Sequence, residues 1–499
     1  MRRVVASVIV SLCLLARPSS AFAGWTRFAS AHFLFIGDVS RHDLREAAER
    51  LELFRETIAR VFPAPSAGVT HPLPSPPTVV IVFEDDRSFA PFRPSFEGRP
   101  VEVAGYAASS EDSSYIAVNA AHKDEAFGIL FHEYAHLYLR QEIGTLPLWL
   151  NEGIAEFYET FESARAGRSA VVGMVNADNL ELLEANALIA IDQLVSTEPQ
   201  SPLYNEGDRR GLFYAESWAL VHYLLCNGPE NVARLQHLIA AAVSGVPARA
   251  AFAEALGPDF AAVERDLAQY VRRKAFDARR LNVGPRVMPS RTFKGEPLPV
   301  SEAAAYLGDM LAHLGRVDEA RLFLQEAIDK APAPRAIAAL GLLEMREGRL
   351  DVGQALLERA VAQAPELAAA QRWLGRAYLQ RAEAGDGDAQ ALYADARIAL
   401  GWSLKVEPGH PAAMLAVATI DLATGEYIDH AAAMLRTLVD GAPGREDYAL
   451  LLGEALLAQR DFTGATSLLG PLLTRGQTVA TRSAARELLA RLARLRAEP

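Results

Sequence analysis

The sequence holds only two cysteines, Cys13 and Cys226, in 499 residues. Cys13 lies in an N-terminal segment expected to be removed, and Cys226 alone cannot close an internal disulfide. A disulfide-stapled scaffold is therefore excluded. Cys226 follows the apolar run Tyr223-Leu224-Leu225 and reads as a buried, inert thiol. Basic residues are outnumbered, with 50 Lys and Arg against 62 Asp and Glu and a net charge of -12. That balance argues against nucleic acid or an anionic membrane surface as partner, since both need a basic face. No long hydrophobic run follows the N-terminal segment, so no membrane span is expected after it.

The N-terminal segment itself is informative. Arg2 and Arg3 precede an apolar run from Val4 to Ala16, and Ala21-Phe22-Ala23 supplies a small-x-small cleavage pattern. A signal peptide over 1–23 is expected, with a mature start near Gly24 and a destination that is periplasmic or secreted. The alternative is a retained N-terminal anchor. The remaining length exceeds one core and implies several domains.

From Trp25 to about Asp85 strand and helix signals alternate. Leu44, Ala47, Leu51, Phe54, Ile58 and Val61 have helical spacing, and Thr78–Phe83 (TVVIVF) is a strand by its β-branched content. A Pro-rich connector, Pro63–Pro77, separates them. Val101–Tyr106 and Tyr115–Val118 suggest a hairpin, and helices are predicted over Ala121–Arg140 and Leu148–Phe161. These elements give an α+β domain over 24–280. A Pro- and Gly-rich stretch at 281–298 reads as a linker that few contacts should cross.

Beyond it, 299–499, the sequence repeats. Leu307-Gly308 recurs as Leu340-Gly341, Leu374-Gly375 and Leu452-Gly453, and the first offset is 33 positions (341 − 308). Such a period marks stacked helical hairpins. With Leu374-Gly375-x-x-Tyr378 and Ala320, Leu324 and Ala327 in place, this region resembles tetratricopeptide repeats. It lacks the pattern's Trp at its usual position, and Glu383–Gln390 looks inserted. The resemblance implies an all-α solenoid with a concave surface for a peptide or protein partner.

The chemistry lies in the first domain. His132-Glu133-Tyr134-Ala135-His136 sits in an apolar, Pro-free stretch, so both imidazoles share one helix face and could share one Zn²⁺. Glu133 is placed to reach a water there without acting as a ligand. A zinc site needs a third protein ligand, and the next helix has two carboxylates at i, i+4, Glu152 and Glu156. One could bind metal, and the other could accept the second N–H of a ligand histidine.

HExxH followed by Trp149-Leu150-Asn151-Glu152-Gly153-Ile154-Ala155 resembles the aminopeptidase-N type of gluzincin and its shorter peptidase-MA-like relatives. The resemblance implies a zincin-like domain, with His132, His136 and Glu152 as zinc ligands and Glu133 as general base. Fifteen residues separate His136 from Glu152 where aminopeptidases have eighteen, and a shortened turn near Ile143–Pro147 would account for the difference. The thermolysin-like alternative makes Glu156 the ligand. Tyr214, at the start of an apolar helix, resembles the family tyrosine that donates to the tetrahedral oxyanion; the alternative is a packing role. The family's GxMEN segment, which captures a substrate amine, is missing from 103–110, so endopeptidase activity is the expectation.

The implied reaction is zinc-assisted hydrolysis of a peptide or protein substrate, with Glu133 taking a proton from water and passing it to the leaving nitrogen. The competing reading is an exported repeat scaffold carrying a vestigial peptidase domain.

Overall fold

A computed structural model describes residues 24–63, 78–96, 99–109, 113–164, 169–205, 207–283, 295–442, 444–476 and 478–497. The expected signal peptide, most of the Pro-rich connector and the tip of the predicted hairpin lie outside the described residues. The chain is mostly helical, with an α/β region towards its N-terminus and an all-helical repeat towards its C-terminus.

The strands are β1 (Thr26–Ala29), β2 (Phe33–Gly37), β3 (Thr78–Phe83), β4 (Ser95–Phe96), β5 (Arg99–Pro100), β6 (Gly105–Ser109), β7 (Ser114–Asn119), β8 (Glu162–Ala164), β9 (Ser169–Val172), β10 (Arg279–Asn282) and β11 (Glu296–Pro297). Six of them form one sheet in the order β11-β1-β2-β3-β7-β6. β2, β3 and β7 run parallel, and the other pairings in this sheet are antiparallel. The predicted hairpin is present as β6 and β7, displaced towards the C-terminus from the expected first strand.

Both faces of this sheet are covered. On β3, Val80 and Val82 point into one apolar cluster, while Val79, Ile81 and Phe83 point into another. The run TVVIVF shows no polar alternation because every side chain is buried. The first face packs on α1 (Arg41–Val61) and, past the short α2 (Asp86–Phe89), on α3 (Lys123–Tyr138). A π-helical turn, Leu139–Ile143, then reverses the chain through Gly144 into α4 (Leu148–Glu159). Among the described residues seven further helices follow: α5 (Ala177–Ala185), α6 (Ile191–Val195), α7 (Pro202–Asn205), α8 (Gly207–Cys226), α9 (Pro229–Val243), α10 (Ala248–Leu256) and α11 (Phe260–Arg272).

The second face of the sheet packs on the helical repeat, and here the expected sparse linker needs correction. Ile36, Tyr106, Tyr115 and Ala117 share a core with Leu307, Met310 and Leu340. The Tyr115 hydroxyl donates to buried Asp309 at 2.5 Å, and Arg316 donates to the carbonyls of Pro91 and Arg93 at 2.8 and 2.9 Å. The stretch read as linker contributes β10 to a three-stranded sheet and β11 to the edge of the main one. Apolar strands that need cover on two faces outweigh the Pro and Gly content of the connection.

The repeat comprises α12 (Val300–His313), α13 (Val317–Lys330), α14 (Pro334–Arg346), α15 (Leu350–Gln363), α16 (Ala368–Glu383), α17 (Ala389–Val406), α18 (Pro411–Thr424), α19 (Ile428–Gly441), α20 (Glu446–Ala458), α21 (Phe462–Leu469), α22 (Leu472–Arg475) and α23 (Val479–Ala497). First helices of successive hairpins begin at 300, 334, 368, 411 and 446, giving intervals of 34, 34, 43 and 35 residues. The long interval holds the apparent insertion, which the structure absorbs by lengthening α16 and α17 around their turn. The recurring Leu-Gly has a steric cause. A Cβ on Gly308, Gly341, Gly375 or Gly453 would lie 2.5 to 2.9 Å from the side chain of Leu324, Leu357, Leu400 or Leu469 on the second helix of its hairpin.

Candidate metal centre

The HExxH segment lies on α3, as its composition predicts. Phe127, Leu130, Phe131, Tyr134, Ala135 and Tyr138 bury one face of that helix in the core against the sheet and α1. The opposite face turns Glu125, Ile129, His132, Glu133 and His136 into a cleft of about 850 Å³. α4 forms the facing wall, anchored by Trp149, Leu150, Ile154, Phe157 and Tyr158. It presents Glu152, Glu156 and Glu159 at i, i+4 and i+7, one face of a helix.

The two imidazoles meet. His132 Nε2 and His136 Nε2 lie 3.1 Å apart, and Glu152 Oε2 is 3.3 Å from the second and 3.8 Å from the first. One ligand atom from each of these residues falls within 4.8 Å of the others. Glu156 stands on the other side of His132, with Oε1 3.7 Å from its Nδ1, and its Oε2 accepts a hydrogen bond from Asn179 at 2.8 Å. Glu159 Oε2 lies 3.6 Å from the same Nδ1. Of the two carboxylates weighed from sequence, Glu152 faces the paired Nε2 atoms and Glu156 stands at the rear of His132.

The electrostatics favour positive charge at this point. Burial works against a charged His132, but Glu159 and Glu156 outweigh it and push its pKa up to about 9. Burial likewise opposes the Glu152 carboxylate, yet His136, His132 and Tyr204 hold its pKa below the usual value. The Glu156 pKa is raised by burial and by Glu159.

A further chain of polar groups reaches Glu152 from α8. Arg210 donates to the Tyr214 hydroxyl at 3.2 Å, Tyr214 to the Tyr204 hydroxyl at 3.3 Å, and Tyr204 to Glu152 Oε1 at 3.1 Å. The two phenol rings stack with centroids 6.0 Å apart. Tyr214 thus lines the cleft, two hydrogen bonds from Glu152. α8 can lie this close because Gly153, inside the WLNEG segment, lets it touch α4: a Cβ there would sit 2.4 Å from the Ser217 carbonyl oxygen.

Comparison with known proteins adds little chemistry. A family model described as a protein of unknown function, DUF1570, matches residues 126–242, the span from α3 to α9 that carries every site residue named from sequence. No curated protein matches the chain. Solved structures similar to the C-terminal all-helical repeat include a thermophilic TPR protein of Thermus thermophilus, at 20% identity over 39% of this chain and 98% of that one, with a TM-score of 0.30. YrrB, described as a TPR protein with an unusual peptide-binding site, is 14% identical over 37% and 90%, with a TM-score of 0.31. Pseudomonas aeruginosa pilF is 16% identical over 40% and 93%, also at 0.31.

Several site residues escaped the sequence reading. Glu159 was legible as the next member of the Glu152–Glu156 face. Arg210 precedes Tyr214 by one helical turn and becomes visible once α8 is known to start at Gly207. Tyr204 and Asn179 sit on separate short elements and carry no local signal, since tertiary packing alone brings them to the cleft.

Proposed function

We propose that the chain is a zinc-dependent peptidase, exported from the cytoplasm, in which a zincin-like α/β region is covered on one side by a partner-binding helical repeat. One observation carries the reading: Glu152 Oε2 is buried, has no hydrogen-bond partner among the described residues, and faces the two adjacent Nε2 atoms of His132 and His136. An unpaired carboxylate oxygen is costly in a protein interior, and a cation held between three such donors would satisfy it. The donor set, two imidazoles and one carboxylate, suits zinc with a coordination position left for chemistry. Glu156, held by Asn179, supports the same fit by placing a carboxylate 3.7 Å behind His132 Nδ1.

When bound, zinc would supply Lewis acidity, polarising a carbonyl and acidifying a water. The protein's own groups do the rest. Glu133, on the cleft wall beside both histidines, accepts a proton from water and delivers it to the leaving nitrogen. Tyr214 donates to the oxygen on which negative charge develops. Burial, with Glu152 nearby, raises its pKa, so the phenol stays protonated and would turn its one hydrogen from Tyr204 to that oxygen. Tyr204 holds Glu152 Oε1 and leaves Oε2 for the cation.

A second reading, an exported repeat scaffold without turnover, draws support from α17. Ile398, Trp402 and Val406 lie at i, i+4 and i+8 and are 63%, 50% and 50% exposed, an apolar stripe of the kind a protein partner covers. The purified chain separates the readings when incubated with a denatured-protein library, with and without a chelator. Chelator-sensitive cleavage that Glu133→Gln abolishes supports the peptidase. Absence of both bound zinc and cleavage leaves the scaffold.

A further inference from the structure

We propose that Arg210 selects the substrate, its guanidinium receiving a carboxylate of the peptide bound in the metal cleft. The inference rests on the peptidase reading and adds a substrate class to it.

Three observations carry it. Arg210 lines the same cleft as His132, His136 and Glu152 and is itself exposed there. Its guanidinium lies over two aromatic rings, with centroid distances of 5.3 Å to Tyr214 and 5.7 Å to Tyr204, which holds it at the cleft beside them. Only one donor is engaged, on the Tyr214 hydroxyl, and among the described residues no carboxylate lies within ion-pair distance. An arginine placed over aromatic rings, exposed in the cleft and with one of its five donors engaged among the described residues, can offer its fork to a carboxylate in planar bidentate fashion. Elsewhere in the chain Arg93, Arg321 and Arg397 each engage two carboxylates, the kind of pairing a bound carboxylate would give Arg210. The carboxylate could be an acidic side chain or the free C-terminus of the peptide.

Two fluorescent peptide pairs distinguish the sources. One pair differs by Glu against Gln within a C-terminally amidated sequence, and the other by free acid against amide within a neutral one. Equilibrium binding is measured on zinc-supplemented Glu133→Gln protein, where turnover does not interfere. We expect the carboxylate member of one pair to bind roughly 10- to 100-fold more tightly, the range of a hydrogen bond to a charged group. Adding Arg210→Gln should collapse that ratio towards one, and Arg210→Lys should retain part of it. A ratio of one in both pairs, or a preference that survives Arg210→Gln, overturns the proposal. If the wild type shows no chelator-sensitive cleavage while the preference holds and depends on Arg210, carboxylate recognition stands and the peptidase reading falls.

Discussion

Tyr204 donates to one oxygen of Glu152 at 3.1 Å, and the other oxygen of that carboxylate faces His136 Nε2 at 3.3 Å. The carboxylate is thereby split between a phenol that orients it and a pair of imidazoles that leaves it unsatisfied. Glu156 is divided differently, between Asn179 and the rear nitrogen of His132. The two residues should respond differently to the same substitution. Glu152→Gln should abolish tight zinc binding, while Glu156→Gln should weaken it by about 10- to 100-fold. Titration of both variants against a competing chelator checks the order, and a larger loss in Glu156→Gln would exchange their roles.

Removing the Tyr204 hydroxyl tests the orienting bond to Glu152. Tyr204→Phe keeps the ring stack with Tyr214 and deletes the donor to Glu152 together with the acceptor of the Tyr214 hydroxyl. Zinc affinity should fall by roughly 10-fold or more with little change in thermal stability. Unaltered affinity would mean that packing alone orients Glu152.

Gly153 tests the contact that brings α8 to the cleft. In Gly153→Ala the new methyl group would meet the Ser217 carbonyl at 2.4 Å and Val221 at 2.7 Å. Backbone cannot give way as a side-chain tip can, so a loss of about 1–3 kcal/mol is expected in chemical denaturation. A variant as stable as wild type would show that the two helices are not held so closely.

Glu216 gives the fold a pH dependence away from the metal site. Its side chain is fully buried on α8, and Oε2 accepts from the Ile189 N–H at 2.7 Å. Burial, reinforced by Glu264, pushes its pKa up to about 8. Its unfolded value is about 4.3, so the folded state favours the protonated form. The stability this contributes is full below about pH 4.3 and is lost as pH rises through 8. Glu216→Gln cannot titrate. Melting temperatures of the two proteins should diverge between pH 5 and 8, with the variant gaining on wild type, and run parallel above that. A constant difference would refute the assignment.

Much of the candidate site was legible because its chemistry is local. HExxH needs only helical spacing to juxtapose two imidazoles, and WLNEG with its i, i+4 carboxylates needs only one more helix. The repeat was legible for a similar reason, since Gly308, Gly341, Gly375 and Gly453 each mark a close approach between helices of one hairpin. What the sequence concealed depends on distant packing. Nothing near Tyr204 announces that a four-residue helix will carry it to Glu152. Pro285, Pro289 and Pro297 suggested a tether, yet Tyr115 and Asp309, on opposite sides of it, are hydrogen-bonded in a shared core. The unalternating TVVIVF did hint at a strand covered on both faces, although it could not say that the second cover is the repeat.

His132, His136 and Glu152 are proposed to hold one zinc ion together. Native mass spectrometry of the zinc-loaded chain after dialysis against metal-free buffer tests it most directly, with wild type and His136→Ala compared side by side. One zinc per wild-type chain and none in the variant is the expected result. A metal-free wild type, or a variant that keeps its full zinc, would contradict the account.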